Sequence, residues 1–166
     1  MKLYIRQKVF SWKDKFFVKD QNGRDKYMVE GELFSFGKKL HVYDMSGNEV
    51  AFIQQKVFSF LPRYFVFVAD REIAEIVKQF SFFRPKYEVR GLNWQVEGDF
   101  FAHNYVIYDV NACVVEINKE WMTWGDCYEL DIASGADEIV ALATVLDIDC
   151  ATENNVGGVS VSVSSD

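Results

Sequence analysis

Residues 139–148 read Ile-Val-Ala-Leu-Ala-Thr-Val-Leu-Asp-Ile. Set at 3.6 residues per turn, Ile139, Val140, Ala141, Leu142, Ala143, Val145, Leu146 and Ile148 point in every direction around the axis and form no stripe. Ser134 followed by Asp137 and Glu138 resembles a capping arrangement, and acids suit the positive end of a helix dipole. The segment predicts a helix at about 135–150. A helix apolar on all sides must be surrounded. A bilayer span takes about 20 mostly apolar residues, so this helix is too short for lipid and the rest of the chain must sheathe it. Asp147 and Asp149 sit badly at its C-terminal end, where acids oppose the dipole. They are expected to emerge into water at the mouth of the sheath, with pairing to a cation as the alternative.

The only material for a sheath is sheet. Gln21-Asn22-Gly23-Arg24 and Met45-Ser46-Gly47-Asn48 separate runs rich in Val, Ile, Phe and Tyr, the usual hairpin signal. Counted this way, Lys2–Lys8, Lys15–Asp20, Lys26–Gly31, Lys38–Asp44, Val50–Lys56, Tyr64–Asp70, Ile73–Phe80, Lys86–Gly91, Asn93–Glu97, Phe100–Asp109, Cys113–Lys119 and Cys127–Ala133 are twelve candidate strands. Pro62 and Pro85 fall between runs, where proline belongs. The expectation is a mostly β fold: a closed twelve-stranded antiparallel barrel around a central C-terminal hydrophobic α-helix at about 135–150. Closure also removes the exposed edges that invite aggregation.

A small motif recurs. Phe10-Ser11-Trp12, Phe34-Ser35-Phe36, Phe58-Ser59-Phe60 and Phe80-Ser81-Phe82 begin at intervals of 24, 24 and 22 residues, with Trp121-Met122-Thr123-Trp124 as a looser echo. Read as strand, alternate residues share a face, so both aromatics are expected to point inward and the Ser outward. A longer repeat lies above it. Tyr27-x-Val29-x-Gly31 matches Tyr87-x-Val89-x-Gly91, and Val42-Tyr43-Asp44 matches Ile107-Tyr108-Asp109. This suggests a single domain over 1–153 built by internal duplication, with halves of about 1–70 and 71–133 followed by the helix. Residues 154–166, small and polar with two glycines, read as a flexible tail.

The net charge of −7 is divided unevenly. Residues 1–90 hold 17 Lys and Arg against 11 Asp and Glu, whereas residues 91–166 hold one against 14. Such asymmetry marks either a basic surface for an anionic partner or two halves that neutralise each other. Lys38, Lys39, Arg63, Arg84, Lys86 and Arg90 are the candidates for a cationic patch towards phosphate headgroups. With pI near 4.9 and neither a helix-turn-helix nor an RNP pattern, nucleic acid is not expected as a partner.

No apolar run is long enough for a transmembrane segment, and the Lys- and Arg-bearing N-terminus does not read as a signal peptide. Cys113, Cys127 and Cys150 are odd in number and contain no CxxC pair, which fits buried free thiols in a reducing cytoplasm. No glycine loop of the GxGxxG or GxxxxGK[ST] kind cradles a phosphate, and no cofactor is implied. The cysteine spacings fit no zinc finger. Asp147, Asp149 and Glu153 make the best oxygen group for calcium, but they read better as a solvated helix end, so no metal is expected. His41 and His103 lie in predicted strands without a GxSxG elbow, so no catalytic residue is assigned.

Several segments carry a family resemblance: QKVFSWKDKFFVKDQNGRDKYMVEGELFSFGKKLHVYD, FSFFRPKYEV, WQVEGDFFAHNYVI and KEWMTWGDCYELDI before the apolar helix. Over roughly residues 1–150 they resemble the LURP-one-related family, and its short bacterial members most closely. That family is similar to the Tubby C-terminal domain and the phospholipid scramblases. The resemblance implies a twelve-stranded barrel threaded by a C-terminal hydrophobic helix. Tubby domains bind phosphoinositides, scramblases are membrane-linked and calcium-dependent, and plant members are associated with defence. This sequence has no scramblase-like calcium segment, and Tubby's basic residues find no matching positions, so lipid binding enters by analogy. The expected function is a non-enzymatic, cytoplasmic binding or scaffold module, in its most specific form a peripheral binder of anionic phospholipid. The alternatives are a protein-interaction or regulatory domain without lipid binding, and an enzyme using His41 or His103 at a rim.

Overall fold

The structure, a computed structural model, describes residues 1–6, 15–32, 35–61, 63–79, 86–99, 102–122 and 125–153. Its strands are β1 (Lys2–Arg6), β2 (Lys15–Asp20), β3 (Asp25–Gly31), β4 (Lys39–Asp44), β5 (Glu49–Gln55), β6 (Arg63–Val68), β7 (Arg71–Gln79), β8 (Lys86–Arg90), β9 (Trp94–Asp99), β10 (Asn104–Asp109), β11 (Ala112–Met122) and β12 (Gly125–Ile132). One helix, α1 (Glu138–Glu153), follows. The strands form one antiparallel sheet in the order β8-β7-β6-β5-β4-β3-β2-β1-β12-β11-β10-β9. Two meanders, β1–β8 and β9–β12, are thus joined where β1 pairs with β12, with Lys2 opposite Asp131 and Arg6 opposite Cys127. β8 and β9 come within 8 Å of each other without pairing, so the barrel is nearly closed.

Along strands such as β2, β4 and β10 burial alternates, and the pleat turns the buried set inward. Leu3 and Ile5, Phe16 and Val18, Leu40 and Val42, Tyr64 and Val66, and Ile107, Ile117 and Leu130 all join one core. The helix fills the lumen. Ala141, Ala143, Val145, Leu146 and Ile148 are fully buried, and Leu142 is 1% exposed. Each large apolar side chain buried this way contributes about 1.5–3 kcal/mol. The sheath required by an all-round apolar helix is present.

The up-and-down order gives the barrel two unlike ends. Connections from odd to even strands leave one end, the crown; connections from even to odd strands leave the other, the base. α1 enters at the base, where Glu138 accepts hydrogen bonds from Lys26 and Tyr27 beside the start of β3. It runs towards the crown, where Thr152 reaches Tyr87 near the start of β8. Its beginning corrects the expected cap. The side chain of Asp137, not Ser134, accepts from the backbone N–H groups of Ile139 (2.9 Å) and Val140 (3.1 Å). Gly135, at φ +92°, turns the chain just before it. The helix therefore starts later than the sequence suggests and continues to Glu153. That places Asp147 and Asp149 inside the barrel rather than at its mouth: they are 0% and 5% exposed.

Candidate binding surface at the crown

Every even strand of the first meander opens at the crown with a cation: Lys15, Lys39, Arg63 and Lys86. Their spacing of 24, 24 and 23 residues is the length of one hairpin with its two turns. The aromatic motif keeps the same period, five residues ahead of each of the first three cations. Where the motif is described, it does not lie in strands. Phe36 stands in the β3–β4 connection, and Phe58 and Phe60 stand in the β5–β6 connection. They are 79%, 94% and 94% exposed, so the expectation that these aromatics face inward fails here. Strand alternation does not govern a turn, and these residues lie beyond the last paired positions of β3 and β5. Phe10, Trp12, Phe34, Phe80 and Phe82 lie outside the described residues.

The two described crown loops are held together. Ser35 donates its hydroxyl proton to the Gly37 carbonyl (2.6 Å), and the Lys38 N–H donates to the Gln55 side chain (3.1 Å). The Gln55 N–H donates back to the Lys38 carbonyl (2.8 Å). Gly37, at φ +81°, allows this approach; a Cβ there would stand 2.9 Å from Val57 Cγ2. The Phe36 and Phe58 rings are 6.3 Å apart. Phe58 itself sits at φ +60°. For a bulky L-residue that region is a true outlier, costing of order 1 kcal/mol or more.

Of the basic candidates, Lys39, Arg63 and Lys86 occupy the positions that open β4, β6 and β8 at the crown, and Lys38 precedes β4. Arg84 lies outside the described residues. Arg90 ends β8, bonds Glu88 (3.1 Å) and reaches Glu75 (3.7 Å), the same carboxylate that holds Arg63 (3.2 Å), so these two guanidinium groups meet on the wall. Three crown cations have acidic neighbours: Lys15 with Glu30 (3.9 Å), Lys39 with Glu32 (3.1 Å) and Arg63 with Glu75 (3.2 Å). These pairs are partly exposed, and such pairs contribute about 0–1 kcal/mol. They damp the field of the crown without locking its cations away.

The histidines are both engaged. His41 lies on the outer wall between Glu49 (2.6 Å from Nδ1) and Glu32 (2.9 Å from Nε2), its ring 4.7 Å from that of Phe52. His41 and Lys39 together hold the Glu32 carboxyl below the usual carboxylate range. His103, at φ +50° beside the start of β10, stacks on Tyr128 with ring centroids 4.3 Å apart. Its Nε2 is 3.6 Å from Asp149, which also accepts the Tyr128 hydroxyl proton. Burial, and then the charge of Lys119, push the His103 imidazole below its usual pKa, which favours the neutral ring. Burial drives the Tyr105 and Tyr128 phenols far up, and Asp149 adds to it.

Asp147 is more exposed to cost. Among the described residues neither of its oxygens has a hydrogen-bond partner, and burial alone raises its pKa far above the carboxylate range. The sequence pointed to these acids but placed them at a wet helix end. The signal that would have corrected it is Asp137, an equally good cap three residues later than Ser134.

A shallow depression on the outer wall is lined by Glu49, Val50, Ala51, Phe52, Phe67, Ala69 and Asp70. It holds no hydroxyl or thiol nucleophile. Among the described residues no group of three His, Cys, Asp or Glu gathers to hold a metal ion. No helix among them is long and apolar enough to cross a membrane.

The family model described as LURP-one-related matches residues 1–149. The chain belongs to the LURP-one-related family. A bacterial relative, the uncharacterized protein YxjI of Bacillus subtilis strain 168, is 34% identical over 150 residues, covering 89% of this chain and 93% of that protein. An X-ray structure of an Arabidopsis thaliana protein superposes with a TM-score of 0.66 at 16% identity, covering 91% of this chain and 90% of that one. That likeness bears on the fold: a LURP-one-related barrel of twelve antiparallel strands packed around its C-terminal helix.

Proposed function

We propose that this LURP-one-related chain is a non-enzymatic, cytoplasmic binding module that associates with anionic phospholipid surfaces. The observation that carries the reading is the row of cations, Lys15, Lys39, Arg63 and Lys86, opening alternate strands at one end of the barrel. Lys38 precedes Lys39 there. Near an anionic leaflet each such cation contributes about 1 kcal/mol. The filled lumen supports the reading as well: with the helix packed inside, ligand contacts belong to the outer surface. His41 and His103 have their ring nitrogens directed at carboxylates or into the fold, which argues for wall residues rather than an acid–base site. Cys127 and Cys150 are buried free thiols as expected, Cys113 is exposed against that expectation, and all three agree with a reducing compartment.

Co-sedimentation with vesicles of phosphatidylcholine alone, and of phosphatidylcholine mixed with phosphatidylserine, tests it. The protein is expected to pellet with the anionic vesicles at low salt and to be released, at least in part, as salt rises. Failure to bind anionic vesicles at low salt overturns the reading and leaves a protein-interaction role as the alternative.

A further inference from the structure

We infer that the β3–β4 and β5–β6 tips of the crown dock against the bilayer and that Phe36, Phe58 and Phe60 enter the lipid interface. The inference rests on the membrane-surface reading above; it adds which end docks and assigns part of the binding to apolar contact. Phe58 and Phe60 are each 94% exposed and Phe36 is 79% exposed, the most exposed large apolar side chains among the described residues. Phe58 is presented on a backbone at φ +60°, a conformation that phenylalanine disfavours. The loops that carry the rings are braced through Gly37, Lys38 and Gln55, so the aromatics are held out rather than folded back.

The order of groups along the chain matches the layering of a bilayer. Each aromatic tip is followed within a few residues by a strand-opening cation, Lys39 after Phe36 and Arg63 after Phe60. Aromatic rings favour the depth of the interface, and Lys and Arg favour the phosphate layer just above it. The two neighbouring tips project their rings from one end of the barrel and so meet a plane, whereas a peptide or a helix needs a groove. An anionic lipid surface is therefore the occupant that fits both the rings and the charges.

The test compares the wild type, the pair Phe58→Asn/Phe60→Ser, and the pair Lys39→Glu/Arg63→Glu on the same two vesicle types across a salt series. Asn tolerates positive φ, so the aromatic pair is expected to keep or raise the melting temperature. Should it lower that temperature, Phe60→Ser alone, at a position without positive φ, repeats the measurement. The wild type is expected to retain a salt-resistant bound fraction, and the aromatic pair to lose about tenfold of that fraction or more. The charge pair is expected to lose the salt-sensitive part. If the aromatic variants hold as well as the wild type at high salt, insertion is refuted while the lipid-surface reading stands. If the wild type binds no anionic vesicle at low salt, both are refuted. A wild-type dimer that dissociates on loss of the phenylalanines, with lipid binding unchanged, assigns the rings to a second copy and overturns the inference.

Discussion

Replacing Asp147 by Asn should stabilise the protein by an amount that grows with pH. Asp147 lies on the axial helix, is fully buried, and among the described residues has no hydrogen bond to either oxygen. Its carboxyl is held far above the usual carboxylate pKa, and burial is the cause. The folded protein therefore keeps a proton that the unfolded chain releases at about pH 4. Raising the pH above that value favours the unfolded state by about 1.4 kcal/mol per pH unit, until the folded-state pKa is passed. Asn cannot ionise and keeps the shape, so below about pH 4 the two proteins should differ little. Above it, the stability difference should widen at that slope and then level off, and the pH of levelling reports the buried pKa. Urea denaturation of both proteins across this range gives the difference directly, since groups common to both cancel. Asp147→Leu should add a gain present at every pH, of about 1–3 kcal/mol, from removing an unsatisfied polar group. A difference that stays flat with pH would refute the reasoning. It would mean that the carboxyl is ionised inside the barrel, against a cationic partner that neutralises it.

Glycine and cysteine give sharper local checks. At Gly98, φ is +131° and an added Cβ would lie 2.5 Å from the Asn104 carbonyl oxygen and 2.6 Å from Tyr105 Cα, so Gly98→Ala should cost about 3 kcal/mol or more in urea titration. Gly47, at φ +86° with open space around it, isolates the conformational part, and Gly47→Ala should cost only about 1 kcal/mol. Towards a thiol reagent, Cys113 alone should react in the folded state, because Cys127 and Cys150 are buried. Burial, followed by Glu116 and Asp131, raises the Cys113 thiol, so its rate should still climb with pH through the mildly alkaline range; equal rates at all three positions would contradict the fold.

The architecture was legible because the helix posed a solvation problem with one solution. Ile139 to Ile148 offered no polar face, and twelve β-prone runs were the only material to enclose it. Strand boundaries moved by a few residues, as at β10, where pairing begins at Asn104 rather than Phe100. What stayed hidden depended on local competition. Ser134 and Asp137 both resemble a helix cap, and only the three-residue difference decides whether Asp147 and Asp149 are wet or dry. The link from His103 to Asp149 and Tyr128 joins residues from a turn, the helix and a strand, and no spacing announces it.

The aromatic motif is the more instructive miss, because its period was read correctly and its place was not. A repeat of 24 residues in an up-and-down barrel is one full excursion, out along one strand and back along the next. Any feature with that period must return to the same end, and never to the opposite one. Phe34-Ser35-Phe36 and Phe58-Ser59-Phe60 precede Lys39 and Arg63 by the same interval, and both cations open strands. Gly37 after one motif and Pro62 after the other already marked turns. Period and phase together therefore assign the aromatics to a rim, where three described rings stand in solvent. An inward-facing pair would serve the core of each hairpin separately. A rim-facing pair, repeated in register with a cation, builds one surface out of neighbouring hairpins, and that surface exists only when those hairpins pair side by side.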